Sequence, residues 1–204
     1  GYGSQHSSDP AALFRMFPGW HVVSPTNAFD YVGLLNTALK TNDPVAIIEH
    51  VEFYQRESLV PHNERDYCIP LGKAKVVRSG SACTVLATSV MVHTAVKVAE
   101  ETGIDAEIID MRSIGQLTTD WPLVLSSIAK TNRVIIVEQV ASGLSLGRHW
   151  IAEIQARAFD DLDHEILHVT GSLSAPVVSA VLNRAALGSA ERLREAMELL
   201  AQSA

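Results

Sequence analysis

His6 lies between Gln5 and Ser7 in the opening stretch Gly1-Tyr2-Gly3-Ser4-Gln5-His6-Ser7, a glycine-bearing polar segment. Its imidazole can exchange protons near neutral pH, and its neighbours can donate and accept hydrogen bonds. Residue type alone leaves two readings open, a proton-transfer group and a surface histidine, and the second is the commoner. Glu49 and His50 close the apolar run Val45 to Ile48, and Glu138 closes the run Val134 to Val137. Charged groups at such ends either serve a site at the mouth of a sheet or face solvent. Glu138 is also suited to accept hydrogen bonds from a neighbouring loop's backbone, and Asp110 and Arg112 are spaced to pair with each other at a strand exit.

Gly143-Leu144-Ser145-Leu146-Gly147 fits the Gly-x-Ser-x-Gly pattern of a nucleophile elbow, with Ser145, or Ser142 beside it, as the candidate nucleophile. Asp163 and His168 supply an acid and a histidine in the required order. They follow the serine too closely for the usual hydrolase layout, which makes a chance match the stronger reading. As a phosphate cradle the segment lacks both the dinucleotide fingerprint and the Lys-Ser/Thr of a P-loop.

The elements that must position these groups read as alternating strands and helices. A short helix over Leu13, Phe14 and Phe17 ends at Pro18-Gly19, and a strand covers His21 to Pro25. Thr26 is expected to cap a helix that carries Phe29, Val32, Leu35 and Ala38 on one face and ends near Thr41, before a strand over Val45 to Glu49. Residues 55 to 71 are polar and irregular, as in a linker. Strands follow at Ala74–Arg78, Cys83–Ala87, Ala106–Asp110, Arg133–Glu138 and Glu165–Val169. Helices are expected over Val90–Thr102, Trp121–Lys130, Gly147–Phe159 and Ala190–Gln202. This alternation implies an α/β protein with a mostly parallel sheet covered on both faces, whose ligands meet the carboxyl ends of the strands.

The composition narrows the partners. The 204 residues are 47% apolar, enough for one or two packed domains, and the net charge of −7 comes without a Lys/Arg cluster. Nucleic acid and anionic membranes, which need a basic face, are therefore not expected. Cys68 and Cys83 have neither metal-knuckle spacing nor the number of a disulfide framework, which suits a reducing compartment. No apolar run approaches the ~18 residues of a membrane span. The expectation is a soluble intracellular protein, and the glycine-bearing opening without an initiator Met reads as a chain that starts inside a domain.

Strings of residues add more than single positions. Gln5-His6-Ser7, Phe17-Pro18-Gly19, Val22-Val23-Ser24-Pro25, Gly33-Leu34-Leu35, Asp43-Pro44-Val45, Glu49 and Tyr54 follow one another, and then Ile69-Pro70-Leu71-Gly72-Lys73-Ala74. Met91-Val92-His93, Gly103-Ile104-Asp105-Ala106-Glu107, Ile109-Asp110-Met111-Arg112, Val137-Glu138, Ala158 to Asp163 and Val169-Thr170-Gly171 continue the series. Across nearly its whole length the chain resembles the β-subunits of 2-oxo acid dehydrogenases, the pyruvate dehydrogenase-like branch of the transketolase superfamily.

The resemblance implies the end of a transketolase-like pyrimidine-binding domain over residues 1–60, a linker over 61–71 and a transketolase C-terminal domain over 72–204. It implies oxidative decarboxylation of pyruvate or a related 2-oxo acid by thiamine diphosphate, with the acyl group passed to a lipoyl arm. The implied partners are an α-subunit and a second β-subunit in a heterotetramer, and the lipoyl acyltransferase core. His6 becomes the active-site histidine, with Gln5, Ser7 and Tyr54 in the vicinity of substrate and cofactor. The glutamate that bonds the cofactor's pyrimidine would precede residue 1, and the diphosphate and Mg2+ would belong to the α-subunit, so the chain alone is not expected to turn over. A K+ ion seen in some relatives near Ala38 to Asp43 would meet Thr41 where an acidic ligand is usual. Ser8, Gln55, Gln116 and the shortened Ser174-Ala175-Pro176 depart from the family pattern. Alternative readings are an assembly and docking module, or an acetoin-cleaving or transketolase-type enzyme, and the expected location is the bacterial cytoplasm or the mitochondrial matrix.

Overall fold

The computed structural model describes residues 3–115, 118–174 and 177–202, with the side chains of Ser4 and Gln5 outside the description. The departures at Gln116 and at Ala175-Pro176 fall outside the described residues. The chain opens with two short helices, α1 (Gly3–His6) and α2 (Ala11–Arg15), followed by β1 (His21–Val23), α3 (Ala28–Lys40) and β2 (Val45–Ile47). β1 and β2 pair in parallel as a two-stranded sheet. After a 3-10 turn at Val51–Phe53 and an irregular stretch come β3 (Lys75–Arg78), β4 (Cys83–Ala87), α4 (Val90–Thr102), β5 (Ala106–Asp110), α5 (Trp121–Thr131) and β6 (Val134–Val137). α6 (Gly147–Ala158), β7 (Leu167–Val169), α7 (Ala180–Ala186) and α8 (Ala190–Gln202) complete the chain.

The second sheet has the order β3-β5-β4-β6-β7, parallel except for the antiparallel edge strand β3. Its three central strands, β4, β5 and β6, bury both faces and so read in sequence as largely apolar runs. Within β4, Val85 and Ala87 point to the side covered by α4 and α8, where Val98, Leu193, Met197 and Leu200 pack. Leu86 points to the other side, against Ile128 of α5 and Trp150 and Ile154 of α6. That second core also takes in Val22 of β1 and Ala46 of β2, so the two sheets share one apolar interior.

Helix α3 starts one residue later than expected. Asn27, not Thr26, caps it, its side chain accepting the Asp30 N–H at 2.8 Å. The Thr26 hydroxyl is used elsewhere, donating to Asp110 Oδ2 at 2.7 Å across 84 residues of sequence. Further along α3, Gly33 lets the irregular stretch cross the helix: a Cβ there would lie 2.6 Å from Ile69 Cγ1, and Gly33 O accepts the Ile69 N–H at 3.0 Å.

The two sheets are joined through the segment after β5. Ser24 N–H donates to Arg112 O at 2.7 Å and Ile114 N–H to Val22 O at 2.8 Å, so residues 112–114 lie along the free side of β1. Arg112 does not form its ion pair with Asp110. Its guanidinium binds Asp30 of α3 at 2.6 Å, with the Asp30 side chain 0% exposed, and its Nε–H donates to Lys73 O at 3.2 Å. Asp110 instead accepts the Arg112 backbone N–H at 3.0 Å. A pair between neighbours would have fixed one loop; the pair observed fixes one sheet against the other. α7, absent from the expected elements, has no buried residue and so carries no core stripe for sequence periodicity to detect.

Replacing Arg112 with Met would leave the Asp30 carboxylate buried and unpaired, and is expected to lower unfolding stability by about 3 to 5 kcal/mol in urea titrations, with Asp30→Asn in the same chain recovering part of the loss. Asp110 gives a second expectation. Burial pushes its carboxyl up to about 6, opposed by the hydrogen bonds from Thr26 and from the Arg112 N–H. A folded-state value above the unfolded one gives stability that is complete below about pH 4 and is lost as the pH rises through about 6. Thermal melting between pH 4 and 8 should show this loss, and Asp110→Asn should flatten it.

Candidate functional site

β5 and β6 lie on opposite sides of β4, so the chain reverses its direction of winding there, and a crevice opens beyond the carboxyl ends of β4 and β6. Thr88 and Ser89 follow β4, Gln139 follows β6, and the segment after β2 with the end of α1 closes the opposite side. The resulting cleft has a volume of about 420 Å3. Ser89 lies in it with φ 51°, a left-handed backbone that a non-glycine residue holds at a strain of roughly 1 to 3 kcal/mol.

Three of the four residues singled out from the sequence line this cleft: His6, Ser7 and Tyr54. His6 is the last residue of α1 and is exposed, and Ser7 donates its backbone N–H to Gly3 O at 3.0 Å. Tyr54 donates its hydroxyl to Glu49 Oε2 at 2.7 Å. Hydrogen bonds from Tyr31 and then Tyr54 hold the Glu49 carboxyl below its ordinary range, which keeps a fixed negative charge at the rim. Gln5 is in α1, with its side chain outside the description.

Three further groups belong to the cleft. His50 is not a solvated strand end: its Nε2 lies 2.9 Å from Gln139 Oε1, and its Nδ1 accepts the Glu52 N–H at 3.3 Å. With Nδ1 accepting, the Nε2 side donates to Gln139 and ties the segment after β2 to the end of β6. Asp9 lines the cleft near His50 and accepts the Ala11 N–H at 2.8 Å. Burial raises its carboxyl above the ordinary range, with the Ala11 N–H opposing and Glu138 adding to the rise. An Asp-Pro-Ala string is a helix-start signature, so Asp9 was findable as a cap, whereas Gln139 follows an apolar strand with no local signal.

The Gly143–Gly147 segment is not a nucleophile elbow. Residues Ser142–Leu144 form a 3-10 turn, and the Ser142 N–H donates to Ser172 O at 3.1 Å. Ser145 donates its hydroxyl to Glu138 Oε1 and lies 3.2 Å from His168 Nε2, while that same nitrogen lies 2.8 Å from Glu138 Oε1. A relay needs the serine and the acid on opposite ring nitrogens. Here they share one, and Asp163 lies elsewhere, 3.9 Å from Arg133. Glu138 also accepts the Leu146 and Gly147 N–H groups at 2.9 and 3.0 Å, which fills the start of α6 with a carboxylate and leaves no cradle for phosphate there. Its role as a backbone acceptor is the one its sequence position suggested.

Among the described residues, no group of three or more His, Cys, Asp or Glu is placed to hold a metal ion. Thr41 is the C-cap of α3, and its hydroxyl accepts the Asp43 N–H at 3.2 Å. No helix among the described residues is long and apolar enough to cross a membrane.

A small parallel sheet docked on a larger mostly parallel one, with a cleft lined by imidazoles and carboxyls at the switch point, defines an α/β protein of the kind that binds cofactors between domains. The chain belongs to the transketolase family: its C-terminal domain model matches residues 72–193 and its pyrimidine-binding domain model residues 3–56. It is 35% identical over 205 residues to the acetoin:2,6-dichlorophenolindophenol oxidoreductase β-subunit of Bacillus subtilis, covering 98% of this chain and 59% of that one. The pyruvate dehydrogenase E1 β-subunit of the same organism is 35% identical over 80% of this chain and 50% of its own length. The 2-oxoisovalerate dehydrogenase β-subunit of Pseudomonas aeruginosa is 35% identical over 83% and 53%. The chain thus spans about half to three-fifths of the length of these relatives. A split-gene transketolase, described as an inactive β4 tetramer, shares the fold with a TM-score of 0.74 at 22% identity over 98% of this chain and 63% of that one.

The start of α6 offers a direct test of this geometry. A Cβ on Gly147 would lie 2.7 Å from Glu138 Oε1 and 2.8 Å from His168 Nε2. Gly147→Ala should therefore displace the carboxylate and lower stability by about 1 to 3 kcal/mol in urea denaturation.

Proposed function

We propose that this chain works as the β-subunit component of a thiamine diphosphate-dependent 2-oxo acid dehydrogenase acting on pyruvate or a related 2-oxo acid. Residues 1–60 then act as the closing part of the pyrimidine-binding domain, 61–71 as the connector and 72–204 as the C-terminal domain. The observation that carries the reading is the cleft itself. Family-matched domains meet there, and His6, Asp9, His50 and Tyr54 of the first face Gln139 of the second.

The lining residues fit one half of the cofactor's surroundings. They include imidazoles and carboxyls able to hold or move protons, but no Lys or Arg to balance a diphosphate. In this reading the diphosphate and its Mg2+ are held by the α-subunit, and no residue of this chain is assigned to Mg2+ or K+. When bound, thiamine diphosphate supplies the nucleophilic carbon and the electron sink for decarboxylation. His6, exposed at the cleft mouth, exchanges a proton with the incoming lipoyl sulfur during acyl transfer, flanked by Gln5 and Ser7. Tyr54 locks Glu49, so the rim keeps one charge state near neutral pH, and Gln139 holds His50 in a single tautomer.

Acetoin cleavage is a second reading with a specific observation behind it, since the alignment to the acetoin oxidoreductase β-subunit spans 98% of the chain. Both readings use the same cofactor and cleft and differ in the donor. The assembly role is compatible with either one. Leu173, Val178, Val181 and Leu182 around α7 are 61 to 80% exposed, an apolar surface suited to an α-subunit, a second β-subunit or the acyltransferase core.

The test is reconstitution with an α-subunit of a 2-oxo acid dehydrogenase. With pyruvate, 2-oxoisovalerate and acetoin as donors, His6→Ala is expected to reduce acyl transfer to a lipoyl domain by about 100-fold or more, the usual range for loss of a general acid–base group. Cofactor binding, followed by calorimetry, should be unchanged. Full lipoyl acylation by the variant refutes the role of His6, and absence of cofactor binding by the reconstituted wild type refutes the reading as a whole.

A further inference from the structure

Away from the cleft, Arg15 ends α2 with its side chain buried, at 8% exposure. Its Nε–H is buried without an acceptor, and among the described residues its guanidinium forms no ion pair. A cation removed from water needs a counter-charge within hydrogen-bond reach. Glu138 makes itself felt, partly opposing the fall that burial imposes on the Arg15 guanidinium. It cannot serve as the partner, because its oxygens are taken by Ser145, His168 and the Leu146 and Gly147 N–H groups.

Arg15 lines a pocket of about 430 Å3 between α2 and the start of α6, together with Ser145 and His149 and with no acidic residue. Burial, and then the nearby Arg15 charge, lower the His149 imidazole against an opposing pull from Glu153, so it is neutral at physiological pH and still offers one ring N–H. The rim is apolar: Leu13, Met16 and Leu144 are 55, 69 and 44% exposed. In a chain whose net charge is −7, the pocket lining carries a guanidinium and an imidazole and no carboxylate, with Glu138 acting on Arg15 through charge alone.

We propose that the pocket is an oxyanion-binding site for a small organic acid or phosphate ester. Arg15 grips the carboxylate or phosphate group, His149 is the second donor, and the apolar rim holds a short hydrocarbon part. A planar guanidinium presents paired N–H donors that match either group, and a buried one has no competing water. The site is separate from the cleft and does not depend on which reaction the cleft performs.

The experiment uses the full chain at constant ionic strength set with chloride, titrated with inorganic phosphate in one arm and acetate in the other. The Arg15 Nε–Hε resonance and the His149 titration midpoint are followed by NMR. The expected result is a saturable shift of the Arg15 signal with at least one anion and a rise in the His149 midpoint, since a bound anion favours imidazolium. Response to phosphate alone assigns a phosphate ester, and response to acetate assigns a carboxylate. Arg15→Met should remove the His149 response, and Arg15→Lys, which keeps the charge without the fork, should weaken binding by roughly tenfold. No saturable shift with either anion in the wild type overturns the site, as does an unchanged response in Arg15→Lys or in a folded Arg15→Met chain.

Discussion

Asp30 and Arg112 meet out of reach of water, at 2.6 Å, and most of what positions the cleft follows from that contact. An ion pair of this kind contributes little net stability over an apolar pair of the same volume, but breaking it strands a buried charge. It therefore acts as a selector of arrangement. The docking in which α3 meets the segment after β5 satisfies both charges, and any slip of one sheet against the other leaves each unpaired. Thr26, donating to Asp110 beside the pair, tightens the same junction with a second carboxylate that has no cation of its own.

The cleft sits where that junction brings two strand ends face to face. β2 and β6 belong to different sheets, yet His50 after one and Gln139 after the other are hydrogen-bonded. The distance between the two walls is thus set by backbone pairing along β1 and by the buried ion pair. Neighbours on the same wall orient these groups: the Glu52 N–H bonds His50, the Ala11 N–H bonds Asp9, and hydrogen bonds from Tyr31 and Tyr54 hold Glu49 below its ordinary range. A polar surface held this way needs little reorganisation when a ligand arrives.

The start of α6 shows how one carboxylate can close off several chemistries. Glu138 accepts from two backbone N–H groups, a hydroxyl and an imidazole, and in doing so it removes Ser145 as a nucleophile and the helix start as a phosphate cradle. The same saturation leaves the neighbouring Arg15 without an internal partner. One residue's hydrogen-bond capacity, four contacts on two oxygens, accounts for the silent serine and for a guanidinium without a hydrogen-bonded carboxylate.

The sequence by itself determined the alternation of strands and helices, because that pattern is local. β4 at Cys83–Ala87, α4 at Val90–Thr102 and α8 at Ala190–Gln202 lie where apolar periodicity and turn residues put them, and the motif strings pointed to the family before any contact was known. The resemblance, rather than residue type, marked His6 with Gln5, Ser7 and Tyr54, and the fold brings His6, Ser7 and Tyr54 to one cleft. Only the tertiary structure decided the partners of charged groups: Arg112 with Asp30 across 82 residues, Thr26 with Asp110, His50 with Gln139. The reason is physical. Burial of an apolar side chain is non-directional and leaves a periodic trace along the chain, whereas a buried hydrogen bond or ion pair joins two positions whose separation in sequence carries no information about their separation in space.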